Sequence, residues 1–179
     1  MEIALDPAVG WIVALSLGLL LGAAALHKLR EPARFRSALA GYRILPEGAL
    51  GLAGIVVIGT ELGSTVLLVL PATRPLGGGL AATLLAGYGA AIALNLLRGR
   101  TRIDCGCLGF GTSERIAWWM VGRNGVLAAA ALAVRLPSGA RTLEGLDWLT
   151  VAGTVAAIAA LFSAASRLAS LPSLRSGAA

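Results

Sequence analysis

Five long apolar stretches run through this 179-residue chain, and they restrict its fold more than any other feature. A helix needs about 20 mostly apolar residues to cross the hydrocarbon core of a bilayer. In lipid, a helix also satisfies its own backbone hydrogen bonds. We therefore predict an all-α fold, a multi-pass transmembrane helical bundle, with helices at about residues 9–26, 48–70, 76–97, 116–136 and 146–168.

The composition supports a membrane protein and argues against nucleic-acid binding. Hydrophobic residues make up 57% of the chain and charged residues only 13%, whereas soluble domains carry about 25% charged residues. The net charge of +6 comes mostly from arginines in short connections, a pattern typical of contact with lipid head groups. Because Glu2 and Asp6 precede the first stretch, we expect a retained helix and not a cleaved signal peptide.

The connection between the first two stretches, residues 27–46, predicts an amphipathic helix on the membrane surface. Its apolar residues recur at helical spacing and its cations lie opposite them: Phe35, Leu39, Tyr42 and Leu45 against Arg34, Arg36 and Arg43. Since successive membrane helices alternate in direction, the first and third connections should lie on the same membrane face. His27, next to Lys28, is expected to be a boundary residue there.

The third connection, residues 98–115, contains the only two cysteines of the chain, Cys105 and Cys107, separated by Gly106. A disulfide across one intervening residue is far from relaxed geometry, and strained disulfides are the more oxidising, labile ones. Nearby cations lower the pKa of a thiol and favour the reactive thiolate, and three arginines come just before the pair: Arg98, Arg100 and Arg102. We predict a redox-active Cys-Gly-Cys loop.

Two other interpretations of the cysteines stay open at this point. They could be inert small residues in a glycine-rich loop. Two thiolates also suit Cu(I), but one histidine and two methionines are too few for a complete zinc or iron–sulfur shell. We therefore predict no metal site within one chain, and a site shared between two copies stays open.

Polar residues inside the apolar stretches are the remaining candidates, because ionisable groups in lipid are costly and usually functional. Glu61 is the only carboxylate well inside a predicted helix, where it could handle protons or form a structural hydrogen bond. Arg123 is the only such cation, and Asn124 follows it. From 1.5 Å per residue, Glu61 and Arg123 lie at different depths, so we expect Arg123 to turn toward the cysteine face with Asn95 and form a polar mouth there.

These segments together resemble the MauE family, named for methylamine utilisation, within the DoxX-like redox-associated membrane proteins. The most specific part is Asp-Cys-Gly-Cys-x-Gly at residues 104–109, followed by Arg123 and Asn124; Leu108 stands where the family usually has Phe. The resemblance implies a MauE-like membrane domain at residues 1–136 with a four-helix core. Residues 137–179 would add a fifth transmembrane helix and a short disordered tail.

The resemblance implies a membrane thiol–disulfide relay or maturation factor that assists disulfide formation in an exported protein, as for the small subunit of methylamine dehydrogenase. The implied partners are the lipid bilayer, an exported thioredoxin-like protein and a disulfide-containing client. Cys105 and Cys107 would be the redox pair, supported by Arg123, Asn124, Asn95 and Glu61. With a single cysteine pair, the chain must pass electrons to another protein or to a quinone, the one candidate cofactor.

Two rival functions and one conflict over orientation accompany this interpretation. The chain could be a non-enzymatic scaffold or chaperone, or, ranked last, a small transporter, although it shows no internal repeat of the transporter kind. The resemblance implies the inner cell membrane with the Cys-Gly-Cys loop on the extracytoplasmic side, where disulfides persist. The positive-inside rule argues the opposite, because most arginines flank that face.

Overall fold

The computed structural model describes residues 4–101 and 116–169, with side chains as far as residue 165. Two short 3-10 turns, Glu47–Ala49 and Pro71–Thr73, precede α3 and α4. The part of the chain that the structure describes contains six α-helices, in chain order α1 (Pro7–Arg30), α2 (Pro32–Gly41), α3 (Leu50–Val69), α4 (Arg74–Leu97), α5 (Trp118–Ala133) and α6 (Gly145–Ala169). The described residues form no sheet, and the prediction of an all-α bundle is confirmed.

Four segments of the described ranges are long and apolar enough to cross a membrane, so the chain is a multi-pass membrane protein. They are Pro7–Arg30, Glu47–Val69, Pro71–Leu97 and Gly145–Ala165. The remaining predicted span, 116–136, is a 16-residue helix. It is shorter than predicted because Ala117 is extended and the chain turns after Ala133.

Helix α5 nevertheless runs back along α4 in the opposite direction. A Cβ on Gly89 would lie 3.5 Å from the Cβ of Asn124, and a Cβ on Gly78 would lie 2.6 Å from the carbonyl oxygen of Ala131. The first half of α5 therefore packs on the second half of α4, and the second half of α5 on the first half of α4. The residues that follow α5 therefore lie at the end of the bundle where α4 begins.

Contacts between connections define the two ends of the bundle. At one end, Leu5 donates to the carbonyl of Pro137 at 2.8 Å, and the rings of Trp11 and Trp148 lie 5.3 Å apart; we call this the Trp11 end. At the other, here the α2 end, Arg100 donates to the carbonyls of Gly41 and Tyr42. The first described residues of the third connection therefore lie at the same end as the first connection, as the alternation of helix direction predicts.

An exposed ion pair joins the start of α1 to the connection before α6. Arg141 donates to both carboxyl oxygens of Asp6 at 3.3 Å and to Asp147 at 2.8 Å. The hydrogen bonds from the Arg141 side chain and from the backbone of Ala8 hold the pKa of Asp6 below its usual value. The charged form of Asp6 therefore favours this docking of the Trp11 end.

Small residues bring the helices close together, as is common where lipid supplies no hydrophobic driving force between helices. A Cβ on Gly77 would lie 2.7 Å from the backbone nitrogen of Leu68 in α3. Gly78, one residue further, faces α5 in the same way. Helix α4 thus packs tightly on both α3 and α5.

The predicted amphipathic helix exists but is shorter than the pattern suggests. Helix α2 ends at Gly41, and Arg43 has a φ of 48°, a left-handed conformation that stops the helix. Leu45 and Arg43 therefore lie outside it, and the expectation that they continue its two faces is wrong. Tyr42 caps α2 and is 9% exposed, packed with Ile92, Ile116 and Met120.

Candidate functional site

A buried ion pair between α1 and α3 is the centre of the candidate site. The Nζ atom of Lys28 lies 2.5 Å from Oε1 of Glu61, and their side chains are 2% and 0% exposed. Taking two charges out of water costs several kcal/mol per ion, and only close pairing with further hydrogen bonds offsets that cost. The pair therefore depends on the precise arrangement of both helices.

The carboxylate and the ammonium each have aromatic neighbours. Tyr88 of α4 donates its hydroxyl to the same Oε1 of Glu61 at 2.7 Å. The ammonium of Lys28 lies 5.4 Å from the ring centre of Phe35 and 5.6 Å from that of Tyr88, within the range of cation–π attraction. The cluster thus joins α1, α2, α3 and α4.

The helical period explains why these polar side chains point inward. In α1, the buried positions Ala14, Leu17, Leu21, Ala24 and Lys28 recur at steps of three or four residues. In α3, the corresponding buried positions are Glu61, Ser64 and Leu68. Lys28 and Glu61 therefore occupy core positions of two helices that pack together, and neither lies on the lipid-facing side.

Arg123 lies on the other side of a cavity that Glu61 also lines. Its guanidinium lies 5.2 Å from the ring centre of Trp119 and 6.0 Å from that of Phe162 in α6. The cavity is small and partly open, and it is lined by Leu20, Leu21, Ala24, Glu61, Leu85, Tyr88, Arg123, Asn124, Leu127 and Phe162. Counted from the helix ends at 1.5 Å per residue, Arg123 is about 8 Å and Glu61 about 16 Å inside the α2 end.

No ion pair joins Glu61 to Arg123 within the described ranges, which agrees with their different depths. The carboxylate pairs with Lys28, and the guanidinium stacks against two aromatic rings. Asn124 is 2% exposed and donates its side-chain amide to the carbonyl of Met120 at 2.8 Å. It lines the cavity beside Arg123, so α5 contributes both of its predicted site residues to one place.

Asn95 belongs to a second cluster nearer the α2 end. Its side-chain oxygen accepts a hydrogen bond from Arg100 at 3.0 Å, and its side-chain nitrogen donates to the carbonyl of Ala91. Arg100 in turn donates to the two carbonyls that end α2. The structure thus places Asn95 and Arg123 in separate clusters, and the predicted polar mouth does not combine them.

The cysteine pair itself, Cys105 and Cys107, lies outside the described residues, as do Asp104 and Gly109 of the same motif. The residues on either side of this segment make defined contacts. Arg100 is fixed at the end of α2, and Ile116 is 2% exposed in the apolar cluster around Tyr42. The segment that contains the cysteines therefore starts and ends at the α2 end of the bundle.

Metal-ligating side chains do not cluster within residues 4–101 and 116–169: no group of three or more His, Cys, Asp or Glu side chains comes together there. The polar groups in the cavity are instead a carboxylate, a phenol, a guanidinium and an amide. These groups donate and accept hydrogen bonds, and together with the ammonium of Lys28 they carry a net charge of one positive unit. They suit a ligand with oxygen atoms.

Sequence reasoning missed two residues of this cluster, Lys28 and Tyr88. Lys28 follows the predicted end of the first helix at Leu26, next to the expected boundary residue His27, but α1 continues to Arg30. The three- and four-residue steps from Leu21 through Ala24 to Lys28 carried a signal that could have found it. Tyr88 is the one tyrosine within the predicted stretch 76–97. A phenol hydroxyl inside an apolar stretch was the only sequence feature that could have indicated a site residue there.

Comparisons with known proteins agree with this description. The family model described as "Methylamine utilisation protein MauE" matches residues 6–137. Relatives with the name methylamine utilization protein MauE occur in Paracoccus denitrificans, 39% identical over 84% of this chain and 83% of the relative, and in Paracoccus versutus, 38% identical over 93% and 90%. A further relative of that name, from Methylorubrum extorquens, is 38% identical over 83% of this chain and 74% of its own length. No solved structure matches the chain. A family match over this length and several relatives above 30% identity show that the chain belongs to the MauE family.

Proposed function

We propose that this protein is a membrane thiol–disulfide relay that assists disulfide formation in an exported protein, and that it acts in methylamine utilisation as the names of its relatives suggest. Cys105 and Cys107 would cycle between dithiol and disulfide. The exchange would pass through a mixed disulfide with an exported thioredoxin-like partner. The inner membrane is the proposed location.

One observation carries the proposal: both ends of the cysteine-containing segment are fixed at a single end of a membrane bundle. Arg100 binds the carbonyls at the end of α2, and Ile116 packs against Tyr42. Cys105 follows Thr101 by four residues, and Cys107 precedes Ile116 by nine. A reactive pair in a segment with these two attachments would be within reach of a water-soluble partner.

The charge at this end supports thiolate chemistry. Arg98 and Arg100 come directly before the segment, and nearby cations favour the thiolate form. We propose that this end faces the extracytoplasmic side, where disulfides persist. The positive-inside rule argues against this orientation because of the cations at this face. Lys28 does not belong among those cations, because it is buried against Glu61 and is not a loop charge.

Trapping of the mixed disulfide tests the relay. The variants Cys105→Ser and Cys107→Ser each leave one thiol, and the variant that lacks the resolving cysteine should accumulate a covalent adduct with an exported protein, seen on a non-reducing gel and lost after reduction. The double variant is the matched control and should form no adduct.

Two results would contradict the relay. One is that neither single variant forms an adduct while alkylation finds both thiols of the wild-type protein reduced under all growth conditions. The other is that the double serine variant supports maturation of the client as well as the wild-type protein does. The second result would favour a scaffold or chaperone, because a scaffold does not need the thiols.

A further inference from the structure

The two ends of the bundle differ in the charge of their described side chains. The α2 end carries six arginines and two glutamates: Arg30, Arg34, Arg36, Arg43, Arg98 and Arg100, with Glu31 and Glu47. The Trp11 end carries three arginines and three carboxylates: Arg74, Arg135 and Arg141, with Asp6, Glu144 and Asp147. Six cations against two anions leave four positive units at the α2 end, whereas the charges at the Trp11 end cancel.

Most arginines at the α2 end have no carboxylate partner. Arg34 pairs with Glu31 at 3.2 Å, and Arg100 donates to the carbonyls that end α2. The other four are exposed and form no ion pair with a described residue: Arg30, Arg36, Arg43 and Arg98. We call these four the unpaired arginines. Their guanidinium groups are available to an anion from outside the chain.

The cations at the Trp11 end are mostly engaged by the protein itself. Arg141 donates to two aspartates, and Arg74 lies 3.9 Å from the ring centre of Trp11. Among the described residues of this end, Arg135 is the one exposed arginine without a carboxylate partner. An anionic ligand therefore finds free cations mainly at the α2 end.

Apolar neighbours place the unpaired arginines where acyl chains meet lipid head groups. Leu29 comes directly before Arg30 and Leu97 directly before Arg98, and these leucines are 52% and 75% exposed at the ends of membrane-spanning segments. Ile44, directly after another unpaired arginine, is also exposed. An arginine at such a boundary keeps its charged head at the polar surface. The pattern favours lipid over an acidic protein surface, because one lipid molecule contacts both kinds of side chain.

We propose that the α2 end binds anionic phospholipids, with the unpaired arginines on the lipid phosphates and the exposed apolar side chains on the acyl chains. The planar guanidinium matches phosphate oxygens with paired hydrogen bonds, and clustered cations beside an amphipathic helix are typical of anionic-lipid recognition. Phosphatidylcholine carries an ammonium that neutralises its phosphate, whereas phosphatidylglycerol keeps a negative charge. Anionic lipid should therefore accumulate at the α2 end.

Electron paramagnetic resonance on the reconstituted full chain measures this preference. The protein is placed in phosphatidylcholine vesicles with a trace of spin-labelled phosphatidylglycerol or, separately, spin-labelled phosphatidylcholine, and the motionally restricted fraction gives their relative association constants. For the wild-type protein we expect a preference of about threefold or more for phosphatidylglycerol at low salt, averaged over all lipid positions around the bundle. In 1 M salt the preference should approach one, because exposed charges are then screened beyond about 3 Å.

Substitution of the unpaired arginines assigns the preference to the α2 end. One variant combines Arg36→Gln, Arg43→Gln and Arg98→Gln, which removes three of the four unpaired charges and should lower the preference by about half or more. The matched control combines Arg36→Lys, Arg43→Lys and Arg98→Lys, which keeps the charges and should retain most of the preference. Helix content by circular dichroism should be equal in all three proteins.

Three results would overturn the proposal. One is no preference, or a preference independent of salt, in the wild-type protein, and this result is decisive even if the glutamine variant does not fold. Another is an equal preference in the wild-type protein and the glutamine variant, which would leave the unpaired arginines to water or to an acidic protein. The third is a lysine variant that loses the preference as fully as the glutamine variant, because charge would then not be the cause. The vesicles contain no thiol partner, so the outcome is independent of the relay.

Discussion

Removal of one partner of the buried ion pair should destabilise the bundle far more than removal of both. Lys28→Met leaves the carboxylate of Glu61 buried with only Tyr88 as its partner. At 2.5 Å and an effective dielectric constant of about 20, the attraction between the two charges is about 6–7 kcal/mol. The desolvation of the two ions cancels most of that attraction, but breaking a buried pair typically costs about 3–5 kcal/mol.

Substitution of both residues restores a neutral interior. In Lys28→Met with Glu61→Gln, the amide oxygen at position 61 can still accept from Tyr88 and no charge is buried. We expect the free energy of unfolding of this double variant to lie within about 1 kcal/mol of the wild-type value. The two single effects should therefore be non-additive by about 2 kcal/mol or more, as expected for residues in direct contact.

The assay is reversible unfolding in mixed micelles with increasing dodecyl sulfate, followed by circular dichroism. Arg30→Met, an exposed position in the last turn of α1, is the matched control and should change the free energy of unfolding by less than about 0.5 kcal/mol. A loss below about 1 kcal/mol for Lys28→Met, or additive effects of the two substitutions, would refute the reasoning that the pair is buried and coupled.

Three further predictions follow from other contacts. Gly78→Ala should cost about 1–3 kcal/mol of unfolding free energy, because its Cβ would meet the α5 backbone, whereas Gly87→Ala, with open space around it, should be neutral or stabilising. Arg100→Ala should free the end of α2, which faster hydrogen exchange there would report. Since the pKa of Asp6 is lowered by Arg141, its contribution to docking at the Trp11 end is present above the ordinary value of 3.8 and is lost as pH falls through the folded value. Protection of the Leu5 and Gly139 amides from hydrogen exchange, expressed relative to the intrinsic exchange rate at each pH, should fall there and stay constant near neutral pH.

The helices were predictable because a membrane span is recognised in a sequence by the length and the apolar composition of the stretch. The predicted stretch 76–97 differs from α4, Arg74–Leu97, by two residues at its start. The ends were harder, because hydropathy does not report where the backbone turns. The extension of α1 beyond Leu26 and the left-handed φ of Arg43 depend on local conformation and capping, so both differ from the pattern.

The candidate site was predictable only in part. Glu61 stands out in the sequence because a carboxylate inside a membrane helix is energetically costly and usually functional. The structure shows that this side chain is buried. Its partners come from other helices at separations of 27 and 33 residues, and composition does not show which helices pack together. Lys28 lies beyond the predicted end of the first helix at Leu26, so the helical period that places it inside was not extended as far as this residue.

Labelling of Cys105 and Cys107 in intact cells tests the central claim most directly. A membrane-impermeant thiol reagent is applied to intact and to lysed cells, with and without prior reduction, and the labelled fraction is measured by mass shift. The relay predicts that cysteines in intact cells react only after reduction, because they lie on the extracytoplasmic face as a disulfide. Labelling only after lysis, with both thiols reduced from the start, would contradict both the orientation and the redox cycle.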